Sequence, residues 1–270
     1  MAIDARTLFR DGNLDGAIEA ATAQVRDNPN DSEARALLAD FQCFAGAFDK
    51  ADRQLDIIGT QNTKLAVAVS QTRQVIRAAI ARQEVFEKGR APDVVTEPDA
   101  FVAASLQALL ALREGDGKRA QEILAEAEDQ RIKVAGTRDG NKPFDDFRDA
   151  DDLSAGILEV MSVTGKYFWV PMHKVVSIRF EKSARPRDLL WRPAAVEVRD
   201  GPEGVVYIPA TYPTTPSGPE ATALRLGRAT DWQGSEGEVV RGVGLRLFVV
   251  GEDGVGIDEL SEVDFETASG

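Results

Sequence analysis

A 34-residue spacing governs the first half of this chain. GNLDGAIEAATAQV begins at Gly12 and GAFDKADRQLDIIG begins at Gly46. Leu14 to Phe48, Asp15 to Asp49 and Ala17 to Ala51 keep the same offset. This is the tetratricopeptide period, in which each unit is a pair of helices joined by a tight turn. Gly at the end of the first helix takes positive φ without a Cβ penalty. Small Ala17 and Ala51 allow two helices to approach closely. Leu8 and Phe9 before the turn, with Ile18, Ala21 and Val25 after it, form an apolar stripe at helical spacing. Asn30, Asp31 and Ser32 are candidate caps for a helix over Glu33 to Phe44.

A third copy is expected in SLQALLALREGDGKRAQEILAEAEDQ, where Gly115 and Ala120 keep the five-residue step of Gly12 and Ala17. Gly46 to Gly115 is 69 residues, one more than two periods, so the register slips between them. Lys64 to Lys88 lacks Gly and Pro and reads as one long helix, with a break over Arg90 to Glu97. The repeat positions serve helix packing first. As an array, stacked pairs offer a curved surface that can hold an amphipathic helix or a peptide. The last pair needs a cover, and the second half of the chain is the candidate for it.

The pattern changes after Gly136. Thr137 to Asn141 reads as a loop, and the boundary is placed there, giving a helical repeat unit over 1–136 and a mainly-β unit over 137–270. Tyr167 to Val170 is a strand stopped by Pro171, and Val176, Ile178 and Phe180 alternate with polar neighbours as in a half-buried strand. Val196 and Val198, a turn over 200–204, and Val205 to Ile208 form a hairpin. Pro213 to Pro219 is a loop. Further strands are expected over Ala223 to Gly227 and Val239 to Val250, a turn over Gly251 to Gly256, and a returning segment from Ile257 to Phe265. The fold class is therefore α+β: a tetratricopeptide-like helical domain followed by a small sheet or partly open barrel of five to seven strands.

Charge narrows the partners. The chain has 32 Lys plus Arg against 45 Asp plus Glu, a net charge of −13. Residues 1–142 carry 19 bases and 23 acids, and residues 143–270 carry 13 and 22, so neither half is a basic module for nucleic acid. No apolar run reaches the length of a membrane span, and the N-terminus has no basic-then-apolar leader. With a single cysteine, Cys43, an internal disulfide is excluded, and a reducing cytoplasm is the expected compartment.

Catalysis and cofactors find little footing. His173 is the one histidine, and a nucleophile triad would have to use it. No GxSxG surrounds a serine, and no phosphate loop or GxGxxG is present, so no catalytic residue and no cofactor are assigned. The acids Asp145, Asp146, Asp149, Asp151 and Asp152 lack the glycine and spacing of a calcium loop and read as a solvated face or a helix N-terminus, with no metal. Two polar–aromatic clusters are the interface candidates: Arg187, Asp188, Trp191 and Arg192 in RDLLWRPA, and Arg228, Asp231 and Trp232 in LGRATDW. Trp and Arg together favour interface anchoring. The competing reading is burial of the tryptophans in the β core, with Arg187–Asp188 and Arg228–Asp231 as internal ion pairs.

FDDFRDADD, LEVMSVTGKYFWVP, RDLLWRPA, and LGRATDW followed by RGVGLRLFVVG, in this order, resemble the ImpE/TagJ family, also called SciE-type virulence proteins. The resemblance covers essentially the whole chain. It implies a non-catalytic adaptor of a bacterial type VI secretion system. The implied partners are the small sheath subunit, through its N-terminal helical segment, and the ClpV-type ATPase that recycles contracted sheath. The alternatives are a general peptide-binding repeat chaperone and a hydrolase using His173.

Overall fold

The structure, a computed structural model, describes residues 4–95, 99–216, 218, 221–235 and 237–266. Thr96 and Glu97 of the expected break, and Ser217 and Pro219 of the expected loop, lie outside the described residues. Helices α1 (Ala5–Arg10), α2 (Leu14–Asp27), α3 (Ser32–Phe44), α4 (Phe48–Gln61) and α5 (Ala66–Lys88) follow one another, each packing on the next. The hairpin of α6 (Ala100–Arg113) and α7 (Gly117–Asp129) completes the helical half.

The repeat positions do what their spacing predicts. Gly12, Gly46 and Gly115 end the first helix of each pair at φ of 86°, 69° and 80°. Ala17, Ala51 and Ala120, five residues later, are each fully buried. Asp31 caps α3 by accepting from the amides of Glu33 and Ala34 at 2.9 and 3.0 Å. Asn13, Asp99 and Asp116 cap α2, α6 and α7 in the same way. The slipped register has a structural counterpart. The single long helix α5 stands between the second and third pairs, and α6 seats on the β half instead of simply continuing the stack.

The β half holds thirteen strands among the described residues: β1 (Gly136–Arg138), β2 (Lys142–Phe144), β3 (Phe147–Asp149), β4 (Ile157–Ser162), β5 (Tyr167–Pro171), β6 (Val175–Phe180), β7 (Trp191–Val198), β8 (Glu203–Pro209), β9 (Thr230–Gln233), β10 (Arg241–Gly244), β11 (Leu247–Val250), β12 (Asp253–Gly256) and β13 (Glu262–Phe265). Between β8 and β9 lies the helical turn α8 (Thr222–Arg225). Eight strands form one antiparallel sheet in the order β2-β1-β13-β6-β7-β8-β4-β5. A three-stranded sheet β12-β11-β3 and a two-stranded ribbon β10-β9 accompany it. The large sheet is open, with β2 and β5 at its edges.

Several expectations are corrected. The count of five to seven strands is too low, because β1, β2, β3, β9 and β12 are three or four residues long and carry Gly or charge in place of clean alternation, while the expected strand region Val239 to Val250 holds two short strands, β10 and β11. Residues 137–141 are not a linker loop but part of the β1–β2 hairpin, whose turn uses positive φ at Asp139, Gly140 and Asn141. Ala223 to Gly227 is helical, not a strand, and Gly227 at φ 63° ends the turn. Gly251 to Gly256 is only partly a turn, since β12 begins at Asp253. Of Ile257 to Phe265, only β13 is extended.

Strand β4 explains how the halves join. Its burial is continuous over Ile157–Met161, so both faces are covered. Leu158 and Val160 belong to the core of the β half. Ile157 and Met161 belong to the core that runs through the helices and takes in Trp169, Trp191 and Leu226. Glu159 falls on the helix-facing side, between Ile157 and Met161.

Candidate functional site

The seam between helices and sheet concentrates the polar chemistry of the molecule. Glu159 is 1% exposed and would be prohibitive there without partners. Arg82 of α5 donates Nε and Nη2 to its two oxygens at 2.5 and 3.1 Å, and Nη2 also reaches the Thr211 carbonyl at 3.0 Å. Arg246, itself 1% exposed, bridges Glu159 and Asp149. The Tyr167 hydroxyl donates to Glu159 at 2.5 Å, and the Trp169 indole donates to Tyr167 at 2.6 Å. Tyr212 donates to Asp149 at 2.9 Å. Beside them, Arg241 binds Asp151 at 2.8 Å, and Asp151 also accepts from the Gly242 amide at 2.9 Å.

The two carboxylates that share Arg246 titrate in opposite directions. Burial raises both, but Glu159 faces two guanidiniums and is held well below the usual carboxylate range. Burial pushes Asp149 up to about 6, because it faces a single guanidinium, Arg246, and the nearby Asp151 carboxylate adds repulsion, which the hydrogen bonds from the Asp151 amide and the Tyr212 hydroxyl only partly offset. The acidic run is thus not a solvated face, although Asp151 does sit at a helix N-terminus, capping the 3-10 turn Asp152–Ser154 by accepting from the Leu153 amide at 3.0 Å. Asp149 and Asp151 are buried, and only Asp145 is fully exposed. Asp146 pairs with Arg131, while Asp152 accepts from the Val240 amide at 2.7 Å. Among the described residues no group of acids, His and Cys is arranged to hold a metal.

The interface candidates distribute themselves unevenly. Neither Arg187–Asp188 nor Arg228–Asp231 forms an ion pair. Arg187 crosses to buried Asp40 of α3 at 3.0 Å, where burial keeps the Asp40 pKa raised despite the Arg187 charge. Asp188 caps its own 3-10 turn, Pro186–Leu189, by accepting from the amides of Ala184 and Arg185 at 2.8 and 2.9 Å. Trp191 is 4% exposed and packs on Phe48 of α4, with ring centroids 5.9 Å apart. Arg228 donates to the carbonyls of Phe9 and Arg10, both at 2.8 Å. Arg187, Trp191 and Arg228 are therefore spent on the internal seam. Arg192 instead stays within the β half, stacked over Phe180 at 4.2 Å and donating to the carbonyls of Ile257 and Leu260. Asp231 accepts from the Trp232 amide at 2.9 Å. Trp232, at 41% exposure, is the one tryptophan open to solvent.

His173 is held by Asp99, with Nδ1 to Oδ2 at 3.2 Å. Burial raises Asp99, but hydrogen bonds from His173 and from the amides of Val102 and Phe101 outweigh it and leave the carboxyl below its ordinary value. The adjoining cavity is about 60 Å³, far smaller than a substrate pocket, and among the described residues no Ser, Thr or Cys lines it. Cys43 is buried, and burial pushes its thiol up, away from the reactive thiolate.

Two larger concavities border the seam. One, of about 440 Å³, lies among α3, α4, α5 and the 186–189 turn and is lined by Leu37, Leu55, Ile58 and Val69. Exposed Ile57 and Leu65, and Val67 at 73% exposure, lie at the end of α4 and the start of α5. The other, about 540 Å³, lies between α4, α5 and the β half. The rest of the inner face of α3 and α5 is covered by the chain's own 186–189 turn and by β4 and β5. The open groove expected of a helical array is thus partly filled from within.

The family model for the ImpE protein matches residues 141–264, and one for the tetratricopeptide repeat matches residues 8–68. A relative from Pseudomonas aeruginosa, the type VI secretion system accessory component TagJ, is 34% identical over 266 residues, 98% of this chain and 92% of its own. The chain belongs to the ImpE family. A crystal structure of a Vibrio parahaemolyticus protein superposes with a TM-score of 0.89 at 27% identity, over 97% of both chains. The ImpE match takes in the whole carboxylate–guanidinium cluster of the β half, Asp149, Asp151, Glu159, Arg241 and Arg246. Arg82, which closes that cluster, comes from a helix outside it.

The pattern search on sequence missed Arg82, Asp149, Glu159 and Arg246. A signal existed for two of them. Glu159 interrupts the apolar run Ile157–Met161, and Arg246 stands between Leu245 and Leu247 ahead of Phe248 and Val249. A lone charge in an otherwise apolar strand implies a buried partner of opposite sign.

Proposed function

We propose that this ImpE-family protein is a non-catalytic accessory adaptor of a bacterial type VI secretion system, acting in the cytoplasm. It binds the N-terminal helical segment of the small sheath subunit and assists sheath assembly and disassembly, with the ClpV-type ATPase as second partner. The name of the Pseudomonas relative supports the accessory role. The observation that carries the binding mode is the apolar groove at α3, α4 and α5, flanked by exposed Ile57, Leu65 and Val67. Such a surface suits the i, i+3, i+4 anchors of an amphipathic helix. Among the described residues no helix is long and apolar enough to cross a membrane.

The test is fluorescence anisotropy with the small sheath subunit, intact and without its N-terminal segment. Binding is expected to vanish on truncation and to weaken at least tenfold in Leu65→Asp and Val67→Asp, which leave the fold intact because both side chains are exposed. Equal binding after truncation refutes helix docking.

A further inference from the structure

The 540 Å³ cleft between helices and sheet is of the size that holds a small ligand and sits where two structural units meet. Its walls include Phe48 and Phe86 from the helical half and Trp191 from β7. What distinguishes it is an excess of unsatisfied donors. Arg82 is clamped in place by Glu159 and the Thr211 carbonyl, yet its Nη1 has no hydrogen-bond partner among the described residues. The Trp191 indole N–H has none either, and the Arg225 side chain of α8, half-buried, makes no ion pair or hydrogen bond among the described residues. None of these nitrogens is sealed in the interior, since the unpartnered buried side-chain atoms are Arg35 Nε and Gln42 Oε1. Their residues all line the cleft.

Charge points the same way. Arg82 and Arg246 are balanced by Glu159 and Asp149, and Arg241 by Asp151, so the buried network that holds Arg82 is neutral. Arg225 is left over. Glu87 on the exposed rim pairs with neither arginine of the cleft. A fixed guanidinium edge, a second free guanidinium and an indole donor together form a preorganised acceptor site. The aromatic walls favour a flat apolar body attached to it.

We propose that this cleft binds a carboxylate joined to an aromatic group, with the carboxylate between Arg82 Nη1, Arg225 and the Trp191 indole and the ring against Phe48 and Phe86. This site is separate from the apolar groove and does not depend on sheath binding. The chemistry occurs in a free aromatic acid and in an acidic residue beside an aromatic one in a peptide.

The experiment is ¹H–¹⁵N NMR of the full chain, whose three tryptophans give three indole signals. Four probes are titrated: phenylacetate, acetate, 2-phenylethanol and N-acetyl-Phe-Asp-amide. Saturable movement of the Trp191 indole signal is expected with phenylacetate or the dipeptide. Acetate and phenylethanol should bind at least tenfold more weakly, each lacking half of the recognition. Tighter binding of the free acid assigns a small-molecule ligand, and tighter binding of the dipeptide assigns a peptide. Arg225→Gln removes a side chain without intramolecular partners, so the fold is retained, and it should weaken binding about tenfold. Arg119→Gln, on exposed α7, should change nothing. Absence of saturable binding by either carboxylate, or binding indifferent to Arg225→Gln, overturns the proposal.

Discussion

Glu159→Gln tests whether the seam network holds the two halves together. The substitution keeps the shape of the side chain and removes its charge. Arg82 then has no carboxylate partner and keeps the Thr211 carbonyl and at most a neutral amide oxygen, and Arg246, at 1% exposure, retains Asp149 as its remaining carboxylate partner. Removing one partner of a buried ion pair costs about 3–5 kcal/mol, since the surviving charge stays desolvated. The three charged hydrogen bonds that Glu159 accepts from the two arginines would suggest more if summed at ~1.5–3 kcal/mol each, but they share one carboxylate and do not add. At an m-value of ~2–3 kcal/mol/M, the urea midpoint should fall by about 1–2.5 M. A cycle with Arg82→Met separates the direct pair from the rest. The double variant should lose less than the sum of the singles by ~1–3 kcal/mol. A single-variant loss under about 1 kcal/mol, or additivity within ~0.5 kcal/mol, would refute the account of Glu159 as the joint of the seam.

Trp191→Ala should cost ~3–5 kcal/mol in urea unfolding because it empties the contact with Phe48, whereas exposed Trp232→Ala should stay within ~0.5 kcal/mol. Gly46→Ala should destabilise by ~1–2 kcal/mol, a purely conformational cost, since nothing lies within 4 Å of the added Cβ and φ is 69°. Gly242→Ala should cost more, because its Cβ would fall 2.2 Å from the Tyr212 ring. Glu159 has a folded pKa below its ordinary 4.5, so its contribution is complete above that value and is lost as pH falls. The stability gap between the wild type and Glu159→Gln should therefore narrow below pH 4.5; a gap unchanged from pH 7 to pH 3 contradicts the assignment. Finally, a fragment of residues 1–136 should show no cooperative unfolding by circular dichroism, because Asp40 and the core face of α3 lose their covering, while the full chain unfolds in one transition.

The helical half was legible because its geometry repeats. Three glycines at positive φ and three fully buried alanines follow from a period that recurs along the chain. The strands over 167–171 and 175–180 and the hairpin through Val196, Val198 and 205–208 were legible for a related reason, namely β-branched and aromatic residues bounded by turn residues, though the first strand of that hairpin starts earlier, at Trp191. The short strands were not, since three residues carry no period. The interface candidates show a different limit. RDLLWRPA was chosen for its Arg and Trp content, and those residues do anchor an interface, but the surface they meet belongs to the same chain. Composition identifies an anchor without identifying its partner. The acidic run 145–152 failed most clearly, because pairing of Asp149 with Arg246 spans 97 residues and pairing of Asp151 with Arg241 spans 90.

Those buried pairs change what the net charge of −13 means for binding. Each internal pair removes one acid and one base from the surface, so the net charge is unchanged while the cations available to solvent become fewer. Arg82, Arg187, Arg241 and Arg246 are all used in this way. An anion approaching from a distance meets a repulsive field, and only local geometry can favour it. Arg225 in the cleft supplies such geometry, at contact distance, where screening is weak. The long-range repulsion is screened beyond a Debye length of about 10 Å at 0.1 M salt. Moderate salt should therefore leave the affinity of the cleft for a carboxylate unchanged or raise it, the reverse of the behaviour of a basic protein that binds anions by its overall field.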